Sequence, residues 1–460
     1  MKREEMTENK KNIRLIEGSV SSGLIKMTGP MVVGIFAIIA FNLADTYFVA
    51  QLGTLPLAAM SFTFPIVTIV ATVALGLGTG TASVISQAIG RGERQKVRQL
   101  TTHSLILAVF TVFCLALLGL LTIRPLFRLL GADSQTMPFI EQYMTIWYLG
   151  TVFVVIPMVG NNAIRATGDS FFPAIIMVFA AAANIILDPL LIFGWWGFPK
   201  LGIRGAALAT VIGRASTLIF SLSILHWREK LIDFSLPKLK NLLSSCKEIL
   251  FIGLPAAATN TLNPVGQAII IAFVATFGPQ AVAGFGVATR VESFALIPLW
   301  ALSSTMVPFI GQNFGAKKFD RVKETFQAAS RFSLFWGLCC AALLNYYGKP
   351  IAQLFTNDQK VAQVALLYMR IVSLSLGFLG CTQVVAAAFF GLNRPMAATS
   401  LKAIRVLALQ IPLAYLGAKL RGIEGLIGGI GLAFLLSGII SLIWASHIQN
   451  AKCSGHVPKE

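Results

Sequence analysis

The sequence predicts an all-helical polytopic membrane protein, with about twelve transmembrane helices in two pseudo-symmetric six-helix lobes around a central cleft. Three observations predict it. The composition suits lipid: 56% of the 460 residues are hydrophobic, 12% are charged and the mean hydropathy is +0.75, whereas a soluble domain carries about a quarter charged residues. Apolar runs of roughly twenty residues, enough to cross the hydrocarbon as helix, recur from end to end. The second half of the chain also repeats the first.

The runs lie near Leu24–Ala50, Leu57–Ala88, Leu105–Ile123, Phe139–Gly160, Phe172–Phe193 and Ile203–Leu225 in the first half. In the second they lie near Ile249–Phe277, Ala281–Phe309, Phe332–Tyr347, Val361–Phe390, Ala397–Leu416 and Leu426–His447. Helices are the only reading. An open strand would leave its backbone polar groups unpaired in hydrocarbon, and barrel strands would alternate over about ten residues instead of running continuously apolar. Pro30 and Pro255 sit inside the first and seventh runs as expected helix bends, as does Pro65 in the second. "GLGTG" at Gly76–Gly80 is read as a close-packing surface rather than a phosphate loop.

Sliding the chain by 225 positions superposes it on itself: Pro30 meets Pro255, "FVAQLG" meets "FVATFG" so that Gly53 meets Gly278, and "SQAIGRGERQKV" meets "GQNFGAKKFDRV". A smaller shift pairs "LGIRGAALAT" with "RGIEGLIGGI". The expected lobes are residues 1–230 and 231–460, joined by the basic segment "WREKLIDFSLPKLKNLLSSCKE". Six spans per lobe insert both copies the same way round. Parallel repeats of this kind suit a transporter with its cavity between two lobes.

The formal net charge is +18. Lys2, Arg3, Lys10, Lys11 and Arg14 precede the first span, and Arg91, Arg94, Lys96 and Arg98 follow the second. Arg228, Lys230, Lys238, Lys240 and Lys247 lie between the halves, with Lys317, Lys318, Arg321 and Lys323, then Arg394, Lys402 and Arg405, further on. The intervening turns are nearly bare, which places both termini in the cytoplasm of a plasma-membrane protein. No soluble basic face for nucleic acid is visible. The six cysteines show no disulfide or metal spacing, and no nucleophile–base set or nucleotide loop points to an enzyme.

Three acids lie well inside spans: Asp45, Asp188 and Glu292. Each is a functional candidate, because an ionisable side chain in hydrocarbon is costly. Asp45 and Asp188 near the outward ends of spans one and five, and Thr210 two turns into span six, fall about 8–10 Å below the outer helix ends. Asn184 shares the face of Asp188 at four residues' spacing, and Pro189 frees the carbonyl of Ile185. Together they predict a polar pocket for a proton or for Na⁺, a hard cation that takes oxygen ligands. The duplication confines it to the first lobe: Asp45 corresponds to Ile270, and Asp188 falls near Gln410 or Ile411. A bland reading has Asp45 snorkelling to water and Asp188 ending its helix beside "GWWG". Glu292 either pairs with Arg370 or another buried base or takes part in coupling. Asn260, Asn263 and Gln267 share a face of span seven and either line the second lobe's cavity or bond between helices.

"LADTYFVAQLG", "SQAIGRGERQKV", "RATGDSFFP", "NIILDPLLIFG" and "LGIRGAALAT" resemble the multidrug and toxic compound extrusion (MATE) transporters over almost the whole chain. The resemblance implies two six-helix lobes enclosing a cleft, and export of organic cations by proton or sodium antiport. The DNA-damage-inducible branch implies a first-lobe cation site at Asp45, Asn184, Asp188 and Thr210. Branches with a span-seven glutamate are unlike this chain, whose "LPAAATNTLNPVGQAIII" is uncharged.

The expected mechanism is antiport without a cofactor, by a monomer that meets cationic small-molecule drugs and membrane lipids. Neutralising Asp45 rearranges span one near Pro30 and releases the drug. A flippase for lipid-linked or polyisoprenoid phosphates is the alternative, signalled by buried arginines such as Arg214, Arg290 or Arg370. A membrane-embedded enzyme is the alternative of another class and would need a reactive polar cluster.

Overall fold

Hydrocarbon supplies no hydrogen bonds, so each span closes its own backbone bonds as helix. A computed structural model describes residues 15–453 except 234 and 236, with side chains described to residue 447. Lys2, Arg3, Lys10, Lys11, Arg14 and the tail beyond Cys453 lie outside the described residues. The helices are α1 (Val20–Ala50), α2 (Thr54–Gly90), α3 (Arg94–Leu129), α4 (Met137–Gly150), α5 (Val152–Ala166), α6 (Phe171–Phe193) and α7 (Ile203–Ser223). There follow α8 (Leu239–Ala275), α9 (Pro279–Gly315), α10 (Phe319–Phe355), α11 (Gln359–Ser373), α12 (Leu376–Gly391), α13 (Pro395–Ala403) and α14 (Ile411–Cys453). Wide turns bonded i to i+5 extend α7 over Ile224–Arg228 and join α13 to α14 over Ile404–Gln410.

Among the described residues, nine helical stretches are long and apolar enough to cross a membrane. The pairs α4–α5 and α11–α12, bent by 42° and 58°, raise that to eleven if each pair is one span. The stretch Pro395–His447 covers 53 residues, about 80 Å of helix and far more than one bilayer needs. It breaks at Arg421–Gly422, where the backbone leaves helical geometry, and counting it as two gives twelve.

The backbone repeats along with the sequence. Gly53 (φ 112°, ψ −178°) and Gly278 (φ 98°, ψ 170°) open α2 and α9 with one conformation. Gly202 (φ 58°, ψ −131°) opens α7, and Gly422 (φ 60°, ψ −141°) breaks the last stretch at the matching place. These angles are open to glycine alone.

The chain divides into two compact units. One is Gly29–Ala257; the other is formed by the described residues up to Thr28 and from Ala258. The divisions fall inside α1 and α8, beside Pro30 and Pro255, and the junction expected at Lys230–Leu231 lies inside the first unit. Both helices run through their prolines without a break.

In Gly29–Ala257, "GLGTG" packs as expected. A Cβ on Gly76 would lie 2.5 Å from the carbonyl oxygen of Gly253, one on Gly80 would strike that of Ile249, and one on Gly78 would strike Asn162. At the α3–α4 turn the Thr136 hydroxyl (2.7 Å) and amide (2.8 Å) donate to Asp133 Oδ1 and hold that carboxyl below the usual range. Asp169 takes the amide of Phe171 (2.9 Å) at the start of α6 and pairs with Arg228 (2.7 Å), which lies over the Phe172 ring. In the expected linker, Leu231 is buried, the Asp233 amide donates to Thr102 Oγ1 (2.8 Å) and Leu239 already begins α8.

In the other unit α12 is the core helix, with almost every residue buried. Gly337 and Gly377 let α10 and α12 touch backbone to backbone. Arg321 donates to the carbonyls of Gly18 (2.7 Å) and Leu15 (3.0 Å), Asn313 also donates to Leu15 (3.1 Å), and Thr28 meets Thr305 (3.3 Å).

Gly202 and Gly286 both have open space around the position of a Cβ, but only Gly202 has a positive φ. Gly202→Ala and Gly422→Ala are each expected to cost ~1–3 kcal/mol and to lower the melting temperature of the detergent-solubilised protein. Gly286→Ala, in an ordinary helical turn, should leave it unchanged or raised. Equal melting curves for all three would refute the assignment of strain to these turns.

Candidate functional site

Three helices of the Gly29–Ala257 unit converge on the predicted acids. Gly34 lets α1 approach α6, since a Cβ there would stand 3.2 Å from the Cα of Ala174. Further along, Phe48 meets the edge of Phe193 at 6.3 Å, and these two contacts bracket Asp45. Gly205 brings α7 onto the backbone of α6 at Leu191. Asp45 and Asp188 each lie five residues before the end of their helix, and Thr210 lies seven residues into α7.

All four predicted residues are buried: Asp45 is 5% exposed, Asn184 2%, Asp188 0% and Thr210 8%. With its amide oriented to satisfy its neighbours, the Asn184 nitrogen donates to Asp188 Oδ2 at 2.8 Å. Its oxygen then accepts from Thr210 Oγ1 at 3.3 Å and from the Thr210 amide at 3.0 Å. Asp45 and Asp188 lie within electrostatic range of each other. Oδ1 of each has no hydrogen-bond partner among the described residues. Neither acid follows the bland reading, for Asp45 does not reach water and Asp188 is wholly enclosed.

Tyr143 on α4 is buried and lies within electrostatic range of both acids. Sequence reasoning passes over it, because an aromatic residue in an apolar run carries no charge or spacing signal. The one available hint is that a buried tyrosine hydroxyl usually needs a polar partner.

A crevice of ≈ 10 Å³, about the room one water requires, reaches the Asn184–Thr210 edge of this group. Ile38 and Phe41 of α1, Met177 and Ala180 of α6, and Arg214 of α7 border it. Arg214 lies 5.7 Å from the Phe41 ring centre. Two carboxyl groups, an amide, two hydroxyls and a water-sized crevice suffice to bind a proton or to surround a small cation with oxygen.

In the unit from Ala258, the position matching Asp45 is the fully buried Ile270. Glu292 Oε2 accepts from the Tyr368 hydroxyl at 2.5 Å and lies within electrostatic range of Arg405. The buried base it faces is therefore Arg405, and Arg370 is exposed. Arg405 Nη2 donates to Asn263 Oδ1, so Asn263 bonds between helices; Asn260 and Gln267 are half-buried on α8. Of the arginines that would signal a phosphate cavity, Arg290 is exposed and Arg214 half-buried. The buried bases are Lys402 and Arg405, which the charge pattern assigns to a cytoplasmic loop but which lie within the helical stretch Pro395–His447. Their place inside the apolar run Ala397–Leu416 is the signal that reveals them.

The sequence profile of the MatE family matches the chain twice, over residues 30–190 and 255–416. Both matches begin at the repeated prolines. A "FAD transporter" of Shewanella oneidensis is 37% identical over 434 residues, covering 94% of this chain and 96% of the relative. The "Multidrug export protein MepA" of Staphylococcus haemolyticus is 25% identical over 436 residues, covering 94% of this chain and 95% of its own length. The crystal structure of the Vibrio cholerae MATE transporter VcmN in the bent form superposes with a TM-score of 0.90 at 29% identity, covering 97% of this chain and 100% of that one. With both halves matched by one family and the helical architecture matched in full, the chain belongs to the MatE family and is a multi-pass membrane transporter of the multidrug type, not an enzyme.

Proposed function

We propose that this transporter is a secondary antiporter that exports a small organic solute in exchange for a proton, with the first-unit acids as the coupling site and both termini in the cytoplasm. What carries this reading is the pair of carboxyl groups, Asp45 and Asp188, buried within range of each other and each with one oxygen unbonded among the described residues. Two neighbouring carboxylates in an apolar interior resist joint ionisation and titrate as a pair. The pocket is therefore most stable with a proton or a cation in it. Na⁺ is the other ion that the same oxygens would accept.

The coupling follows from charge. The Asn184 amide donates to Asp188 and the Asn184 oxygen ties the pair to Thr210, while Tyr143 of α4 lies within electrostatic range of both acids. Protonation removes the repulsion between α1 and α6 at the level of Asp45, and α1 then shifts relative to α6 over the stretch that starts at Pro30. A proton moving inward gains about 2.3 kcal/mol per 100 mV, added to its concentration gradient. Emptying the pocket toward the cytoplasm restores the charged pair and resets α1.

The first reading of the cargo is an amphiphilic organic cation, as the export proteins among the relatives suggest, taken by apolar burial and aromatic contact. A second reading is a flavin nucleotide, for which the 37% identity to a protein named a FAD transporter speaks. Buried Lys402 and Arg405 favour it, because a cationic drug would be repelled by them.

The test is transport by purified protein in proteoliposomes, with ethidium and FAD as separate cargoes. A pH gradient and a Na⁺ gradient are imposed one at a time. The expected result is cargo movement driven by the pH gradient; drive by Na⁺ alone transfers the site to sodium, and drive by neither rejects antiport. Asp45→Asn and Asp188→Asn should each abolish gradient-driven transport while the protein still inserts and purifies as a monodisperse species. Undiminished transport by Asp45→Asn would remove that residue from the mechanism.

A further inference from the structure

We infer that Lys402 and Arg405 form an anion site in the unit from Ala258, suited to the phosphate or other oxyanion of an organic solute. The inference deepens the export reading above and rests on it for the identification of the site's ligand with transported cargo. Lys402 is 8% exposed and Arg405 5%, both in the first three turns of the apolar helical stretch Pro395–His447. Charges in such a place are paired or functional. No Asp or Glu of the described residues forms an ion pair within 4.0 Å of either base. Lys402 makes no hydrogen bond with its side chain among the described residues. Arg405 makes one, to Asn263, and its Nε is buried without a partner among them.

Glu292 is the nearest candidate for compensation, and its Oε2 is already occupied by the Tyr368 hydroxyl at 2.5 Å. It can cancel at most one of the two positive charges. The two bases lie three residues apart on one helical face and within electrostatic range of each other, so a cluster built only for stability would carry a second acid. A planar guanidinium with free donors beside an ammonium group is the donor set that oxyanions fill.

The fold supplies the rest. The wide turn Ile404–Gln410 begins between the two bases, a backbone irregularity that recurs at functional positions. Asn263, bonded to Arg405, and Glu292, within electrostatic range of it, are half-buried, giving the cluster a polar edge, and the Phe434 ring lies 5.9 Å from the guanidinium. Gly168 (φ 93°) and Asn393 (φ 59°), 225 positions apart, both take a positive φ just upstream of α6 and α13. Between the 225 shift there and the 222–223 shift that carries Asp188 to Gln410 or Ile411, Lys402 and Arg405 fall within residues 177–183 of α6, a stretch of the first copy without charge. The second copy thus carries positive charge where the first is apolar.

The experiment uses the purified full chain and inorganic pyrophosphate as probe. Affinity is read from saturable thermal stabilisation at constant ionic strength set with chloride. Wild type and the exposed-lysine control Lys317→Gln should bind alike. Lys402→Gln and Arg405→Gln should weaken binding at least tenfold, and Asp45→Asn should leave it unchanged even where transport is lost. That last pair of results separates failure of the coupling site from failure of the anion site. Should the neutral variants not fold, wild-type protein still decides. Pyrophosphate should protect Lys402, and not Lys317, from acetylation by an amine-reactive reagent scored by peptide mass spectrometry. Stabilisation no greater than with chloride, equal affinity in Lys402→Gln and Arg405→Gln, or unprotected Lys402 would overturn the site.

Discussion

Every polar group placed in hydrocarbon must find its partner within the protein, and this protein is arranged around that rule. Its backbone meets the rule by being helical almost throughout. Where a helix bends, nearby side chains serve the loosened turns: Thr151 donates to the Trp147 carbonyl at the α4–α5 bend, and Ser375 donates to the Val372 carbonyl at the α11–α12 bend. Against this background the few polar groups left over stand out. Oδ1 of Asp45 and of Asp188 in one unit, and Nε of Arg405 in the other, are buried without a partner among the described residues, and Lys402 is buried three residues from Arg405. The proposed coupling and anion sites rest on these groups.

The two copies of the repeat share a scaffold and differ in charge. Glycines with equivalent backbone angles open matching helices, and each copy contributes its first helix to both compact units, changing over beside Pro30 or Pro255. On this common frame Asp45 is matched by Ile270, and the uncharged stretch 177–183 is matched by the part of the second copy that carries Lys402 and Arg405. The proposed separation of ion site from anion site rests on this difference in charge.

Much of this is legible in the sequence because hydrocarbon makes composition decisive. The spans, the duplication and the group of Asp45, Asn184, Asp188 and Thr210 all follow from apolar run length, a constant shift and helical spacing. Tyr143 stays hidden because its role depends on α4 packing against two other helices, which no local pattern encodes. Lys402 and Arg405 are misplaced for a different reason. Charge patterning treats every base near a run's edge as a loop residue, yet the stretch from Pro395 to Leu420 is helical and both bases are enclosed. Glu292 is recognisable as an acid inside a span, but its partners Tyr368 and Arg405 come from elements far apart in the chain.

The wide turn at Ile404–Gln410 also constrains how the chain can change length. Such a turn holds one residue more than an α-helix needs, so a single deletion there can close into regular helix without loss of backbone bonds. The closed turn spans nearly the same rotation with one residue fewer, so the segment from Ile411 would keep the faces it presents to its neighbours. Length variation, ordinarily a property of loops, would here be absorbed within a helix.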